Sequence, residues 1–190
     1  MKINIDLSTS RAKSDYKLGV KINVSDTMQT GYSYVLKAQY GVDFADDFKP
    51  ELTPAEILAY GVFEGKYLND CYTEFPREWF ESAMKLGKLS PEKPNTEVNH
   101  FKIKSRQSLS VWQQKGWITK DDPDVRGWFQ WYCRYYIGRR EPVLDERQIK
   151  RWRAFKRHAA QVHQNCETGN LLCRPRQRQA LLQWAYNPFI

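Results

Sequence analysis

The side chains best suited to chemistry lie in the second half of the chain, where arginines, glutamines and aromatic rings alternate at short spacing. Arg134 sits inside the run GWFQWYCRYYIGRR, which Arg139 and Arg140 close. A guanidinium offers a planar fork of five N–H donors that matches phosphate or carboxylate bidentately and stacks on rings. Among the rings of Trp128, Phe129, Trp131, Tyr132, Tyr135 and Tyr136, such a group must reach solvent, pair with a carboxylate, or face a cleft that an anion completes. The expectation is that Arg134 faces a cleft. Lys150, Arg153 and Arg157 share one arc of a later helix, extended by Gln161 and Gln164. Arg174, Arg176 and Arg178, with Gln177, Gln179 and Gln183, repeat this chemistry on the last helix, and Lys102, Lys104 and Arg106 add a third cluster. Cations bind a phosphate backbone, amides reach backbone or base edges, and exposed rings stack on bases. For any one helix the plainer alternative is a solvated face, and for most rings it is the core.

Charge is divided along the chain. Residues 1–100 carry 12 Lys and Arg against 15 Asp and Glu, and residues 101–190 carry 18 against 7, so a net −3 meets a net +11. Ten of the first twelve cations are lysine and twelve of the last eighteen are arginine. The expected partner is therefore nucleic acid, DNA or RNA, single- or double-stranded, with an acidic protein as a further possibility. A different class of function is an enzyme acting on a nucleic acid or a phosphorylated substrate. There Arg134, Arg139 and Arg140 would hold phosphate, Trp128 or Trp131 would wall the pocket, and Asp122 or Asp145 would act as base. A deep pocket beside the aromatic helix favours the enzyme, and a broad, flat basic surface favours the binder. Helix capping accounts for Asp122, Asp124 and Asp145 without catalysis. No Walker loop, HExxH, GxSxG or triad pattern is present, and no cofactor is expected.

His158, His163, Cys166 and Cys173 cluster in a way that raises zinc. Five residues separate the two histidines, which places them about 140° apart on a helix, so at most His163, Cys166 and Cys173 converge. No metal is expected, and Cys71, Cys133, Cys166 and Cys173 are expected as reduced thiols. Neither a membrane-spanning run nor the apolar stretch of a signal peptide appears, so the protein is expected inside the cell, in the cytoplasm or nucleus, with no membrane partner.

The elements that must position these groups are mainly helical, an α+β arrangement with a small N-terminal β element. Short alternations at Ile3 to Leu7, Leu18 to Val24 and Tyr32 to Leu36 suggest strands. Residues 1–50 are expected as a β-rich extension and 51–190 as a compact helical domain, acidic first and basic after. Thr53, Pro54 and Glu56 form a capping box that starts a helix ended by Gly61. Further helices are expected from Pro76 to Leu86, Ser108 to Lys115, Val125 to Ile137 with Asp122 to Asp124 as its cap, Asp145 to Asn165, and Pro175 to Tyr186. At 100° per residue the rings of the 125–137 segment cover nearly its whole circumference. That helix is central, or it lines a pocket.

The run from Gly127 to Arg140 resembles a family spread over eukaryotes, bacteria and large DNA viruses. The likeness continues through ERQIKRW (Glu146 to Trp152) and RQRQALLQWAY (Arg176 to Tyr186), and reaches back to PELTPAEILAYGVFEGKY (Pro50 to Tyr67) and SLSVWQQKGWI (Ser108 to Ile118). It covers roughly residues 50–186. The resemblance implies no activity, fold or cofactor; it singles out the aromatic helix and its Arg-rich flank.

Overall fold

Strong local signals set the helix boundaries. In the computed structural model, which describes residues 5–119 and 122–190, Thr53 Oγ1 accepts from Glu56 N while the Glu56 carboxylate accepts from Thr53 N, opening α1 (Pro54–Ala59). Then follow α2 (Arg77–Lys85), α3 (Leu109–Gln114), α4 (Trp128–Ile137), α5 (Pro142–Phe155), α6 (Arg157–Asn165) and α7 (Pro175–Gln183). A two-stranded antiparallel sheet, β1 (Lys21–Asn23) with β2 (Ser33–Val35), precedes them, pairing Ile22 with Tyr34. Period-two alternation turns both of these side chains into the core. Mainly helical with a small sheet near the N-terminus is thus the architecture of the described residues.

Helix α4 runs through the centre. From Trp128 to Tyr135 every side chain is buried, as rings on all sides require. Phe48 is a hub on its flank, with ring centroids 5.4 Å from Trp131, 5.7 Å from Tyr132, 5.5 Å from Tyr135 and 5.0 Å from Trp152. The first fifty residues, expected as an extension, contribute Tyr16, Ile22, Tyr34, Leu36 and Phe48 to the same core as α4. Gly138 ends α4 at φ +114, and its oxygen accepts from Lys37 N at 2.8 Å and Ala38 N at 3.1 Å. A Cβ there would collide with the Ala38 carbonyl oxygen, so only glycine lets the two segments approach.

Several boundaries differ from expectation. Leu7 begins a short 3-10 turn capped by Asp6 instead of extending a strand, and Ile3 lies outside the described residues. Gly127 is the N-cap of α4, not Asp122 or Asp124, whose carboxylates engage arginines; Asp121 is likewise outside the described residues. The helix expected from Asp145 starts at Pro142, where proline at N1 lacks only a donor that has no helical partner. It is interrupted at Lys156, whose N–H bonds to Arg153 O in 3-10 fashion, so α5 and α6 are distinct. Cys166 and Cys173, expected as thiols, form a disulfide: the turn after α6 brings their Cα atoms to 5.8 Å, within the usual bridging range. Among the described residues no helix is long and apolar enough to cross a membrane.

Candidate functional site

Arg134 does not face a cleft. It is fully buried, and all five of its N–H donors meet acceptors inside the protein. Nε and Nη2 grip the Glu74 carboxylate at 2.7 and 3.0 Å; Nη2 also reaches Gln29 Oε1 at 2.9 Å, and Nη1 donates to Asp124 Oδ1 at 3.1 Å and to the Pro123 carbonyl. Asp124 turns its other oxygen to Arg139 Nη2 at 2.6 Å, and Tyr34 OH donates to Glu74 at 2.8 Å. Burial works against the Arg134 charge, but Glu74 and then Asp124 outweigh it and hold the guanidinium above its ordinary pKa. Two cations and two carboxylates neutralise each other here, leaving no charge for a ligand.

The other candidates divide by accessibility. Trp131 is core, its Nε1 donating to Asp145 Oδ1 at 2.8 Å. Arg140 lies 3.7 Å over the Tyr135 ring and donates to the carbonyls of Tyr135, Arg139 and Asp43. Arg178 is fully buried and holds the main-chain oxygens of Asn170, Cys173, Pro188 and Ile190, tying the α6–α7 turn to the tail. None of these is free to meet a polyanion. Lys150 and Arg153 are exposed on α5, Arg153 pairing with Asp47 at 2.7 Å, and Arg174 occupies the N-cap of α7 in the left-handed region. The acids considered as bases are engaged too. Asp122 accepts from Arg147 Nη2 at 2.8 Å. Asp145 takes Trp131 Nε1 and, at 2.7 Å, Glu141 N; burial raises its pKa despite these bonds.

What the fold does assemble is a half-open cavity of about 540 Å³ at the N-terminal end of α4, walled by α3, α5 and α7. Trp128, Arg157 and Arg176 of the sequence candidates line it, and so does Lys104 of the third basic cluster. Its walls are rings: Phe63, Trp112, Trp117, Phe129, Phe155 and Trp184 join Trp128. Trp184 stacks on Trp128 (4.8 Å, 25°) and on Phe155 (4.7 Å, 8°). Gly127, at φ +87, lets the Trp112 ring press on the backbone, since a Cβ there would meet that ring at 2.9 Å. Lys104, Arg151, Arg157 and Arg176 are the charged residues of the lining, which contains no carboxylate among the described residues. None of the four has an ion-pair partner among them. Burial, and then the neighbouring Arg147 charge, lowers the Arg151 pKa, as for a cation short of counter-charge.

The arginines of 134–140 and both candidate bases stand outside this lining. Trp112, Trp117, Arg151 and Trp184 are among the lining residues that sequence reasoning missed. Each lies within a stretch carrying the family resemblance, and each has a Lys, Arg or Gln within two residues; tryptophan near polar side chains was the available signal. Of the His158, His163, Cys166 and Cys173 cluster, the disulfide takes both sulfurs, and no group of three potential ligands is found among the described residues. No family model, no curated protein and no solved structure matches this chain, which leaves geometry to carry the functional conclusion.

Proposed function

We propose that the protein binds nucleic acid and does so at the cavity beside the start of α4. The observation that carries this is the lining itself: seven aromatic residues with four cations and, among the described residues, no acid. Rings offer stacking surfaces for bases, and unpaired cations at a partly dry rim attract phosphates. Arg157 and Arg176 are exposed, so the strand's backbone can follow the rim while its bases turn inward. A cytoplasmic or nuclear setting belongs to the same proposal.

The presence of a cavity, and not a flat basic face, is the one feature that favours the enzyme alternative. That alternative lacks a general base, because Asp122 and Asp145 are committed to Arg147 and to the α4–α5 junction and line no part of the cavity. An acidic protein partner would use the cations but leave the ring walls unexplained.

The test is fluorescence anisotropy of a labelled single-stranded oligonucleotide across a potassium chloride series. Neutralising four phosphates gives a log–log slope of about −3 at roughly −0.7 per contact. Replacing both Arg157 and Arg176 with Gln should weaken binding and flatten the slope by about 1.4 on the same scale. No measurable binding at low salt, or a slope unchanged in the double variant, would refute the proposal.

A further inference from the structure

Resting on the nucleic-acid reading of this cavity, we infer that it takes one unstacked nucleobase, with Ser105 and Gln179 reading the base edge. The ligand class is then a nucleotide whose base is free, whether alone or in a single strand.

Two polar atoms of the lining are left without partners. Gln179 is 1% exposed, yet its Oε1 has no hydrogen-bond partner, and its Nε2 reaches only Gln183 Oε1 at 3.5 Å. Ser105 Oγ is likewise buried and unpartnered. A buried acceptor left unpaired is costly, and native proteins rarely tolerate one without a partner arriving from elsewhere. Both residues belong to the lining of one ring-lined cavity, and each must turn its side chain to bring the unpartnered atom, closed to solvent as it stands, to a ligand there. The amide and hydroxyl are the side-chain groups that pair with the donor and acceptor edges of bases.

Size and access agree. The volume of about 540 Å³ is that of a site for one small molecule, not for a length of strand. Trp184 is already stacked on Trp128 and Phe155, with the Arg151 guanidinium 5.6 Å from its ring, whereas Trp117 is 44% exposed and has, among the described residues, only Lys115 Nζ, at 4.6 Å, over its ring. A closed duplex buries its base faces by stacking and its edges by pairing, so it cannot present a base to such a cavity. With Arg157 and Arg176 at the rim, the phosphate attached to an inserted base has a cation at hand.

The experiment follows intrinsic tryptophan fluorescence of the full chain during titration with each of the four ribonucleoside 5′-monophosphates, ribose 5-phosphate, a single-stranded 12-mer and the matching blunt duplex. The expected result is quenching by nucleotides, at least tenfold weaker binding of ribose 5-phosphate, and at least tenfold preference for the single strand over the duplex. Quenching by mononucleotides as well as strand assigns the site to a base from either source; quenching by strand alone assigns it to a base held in a polymer. Ser105→Ala and Gln179→Leu should each compress the ranking among bases at least threefold while leaving the salt slope unaltered. Ser105→Ala, on a loop, keeps this comparison usable if Gln179→Leu fails to fold. Duplex and single strand binding equally, or ribose 5-phosphate matching the nucleotides, overturns the base pocket while nucleic-acid binding stands. Absence of binding to every nucleic acid overturns both.

Discussion

Replacing Arg134 with Met separates a structural cation from a ligand-binding one. Met has a similar length and no charge, so the change opens little space but strands the groups that Arg134 serves. Glu74 would keep only Tyr34 OH, Asp124 would keep Arg139, and Gln29 Oε1 and the Pro123 carbonyl would each lose a donor. Removing one partner of a buried ion pair costs about 3–5 kcal/mol, because the abandoned charge remains buried. That is a large part of the roughly 5–15 kcal/mol that holds a domain together. At about 2–4 °C per kcal/mol for a chain of this size, the melting temperature should fall by roughly 6–20 °C. Adding Glu74→Gln should recover part of the loss, with a coupling of about 1–3 kcal/mol in the double-mutant cycle. The assay is thermal melting by circular dichroism, with oligonucleotide anisotropy on the same samples at low temperature. Because Arg134 lies outside the cavity, binding should persist wherever the variant is folded. A melting temperature within 2–3 °C of wild type (about 1 kcal/mol), together with lost binding, would refute this assignment and restore Arg134 to a cleft.

The disulfide and the buried Asp26 give two further tests. Replacing Cys166 and Cys173 together with Ser should cost about 2 kcal/mol on the chain-entropy scale for a loop closed over a separation of 7 residues. It should leave oligonucleotide affinity within twofold, since neither sulfur lines the cavity; a tenfold loss of affinity in a folded variant would contradict this. At Asp26 burial pushes the carboxyl up, but the hydrogen bond and charge of Arg126, with Met28 N–H, outweigh it and hold its pKa below the ordinary value. Its stabilising contribution is therefore present above the unfolded value of about 3.9 and lost as pH falls through the lower folded value. Urea titrations should show Asp26→Asn less stable than wild type at pH 7, with the gap closing below about pH 4. A gap that stays constant down to pH 2 would refute the assignment.

Elements whose instructions are local were legible in the sequence. The Thr53–Pro54–Glu56 box starts a helix because its partners are three residues apart, and rings all round the segment ending at Ile137 require a central helix. Arg134 was recognised as needing completion, but its partner Glu74 is 60 residues away, and no spacing rule reaches that far. The interruption at Lys156 carries no glycine or proline to announce it. Arg176 and Arg178 were grouped by composition although two helical residues lie about 200° apart, so one faces the cavity and the other is buried among carbonyls. The cavity was hidden for a plainer reason. Trp112, Trp128 and Trp184 come from three helical segments and its ends, and only packing brings them to one wall.

The central claim, that nucleic acid occupies this cavity, is tested most directly by mapping where a strand touches the protein. Ultraviolet cross-linking of a single-stranded oligonucleotide, followed by protease digestion and mass spectrometry of the adducts, gives that map. Adducts should concentrate on the peptides carrying Trp112, Trp117 and Trp184, and excess mononucleotide should suppress them. Adducts confined to the exposed basic face around Lys150 and Arg153, with the tryptophan peptides unmodified, would contradict the account.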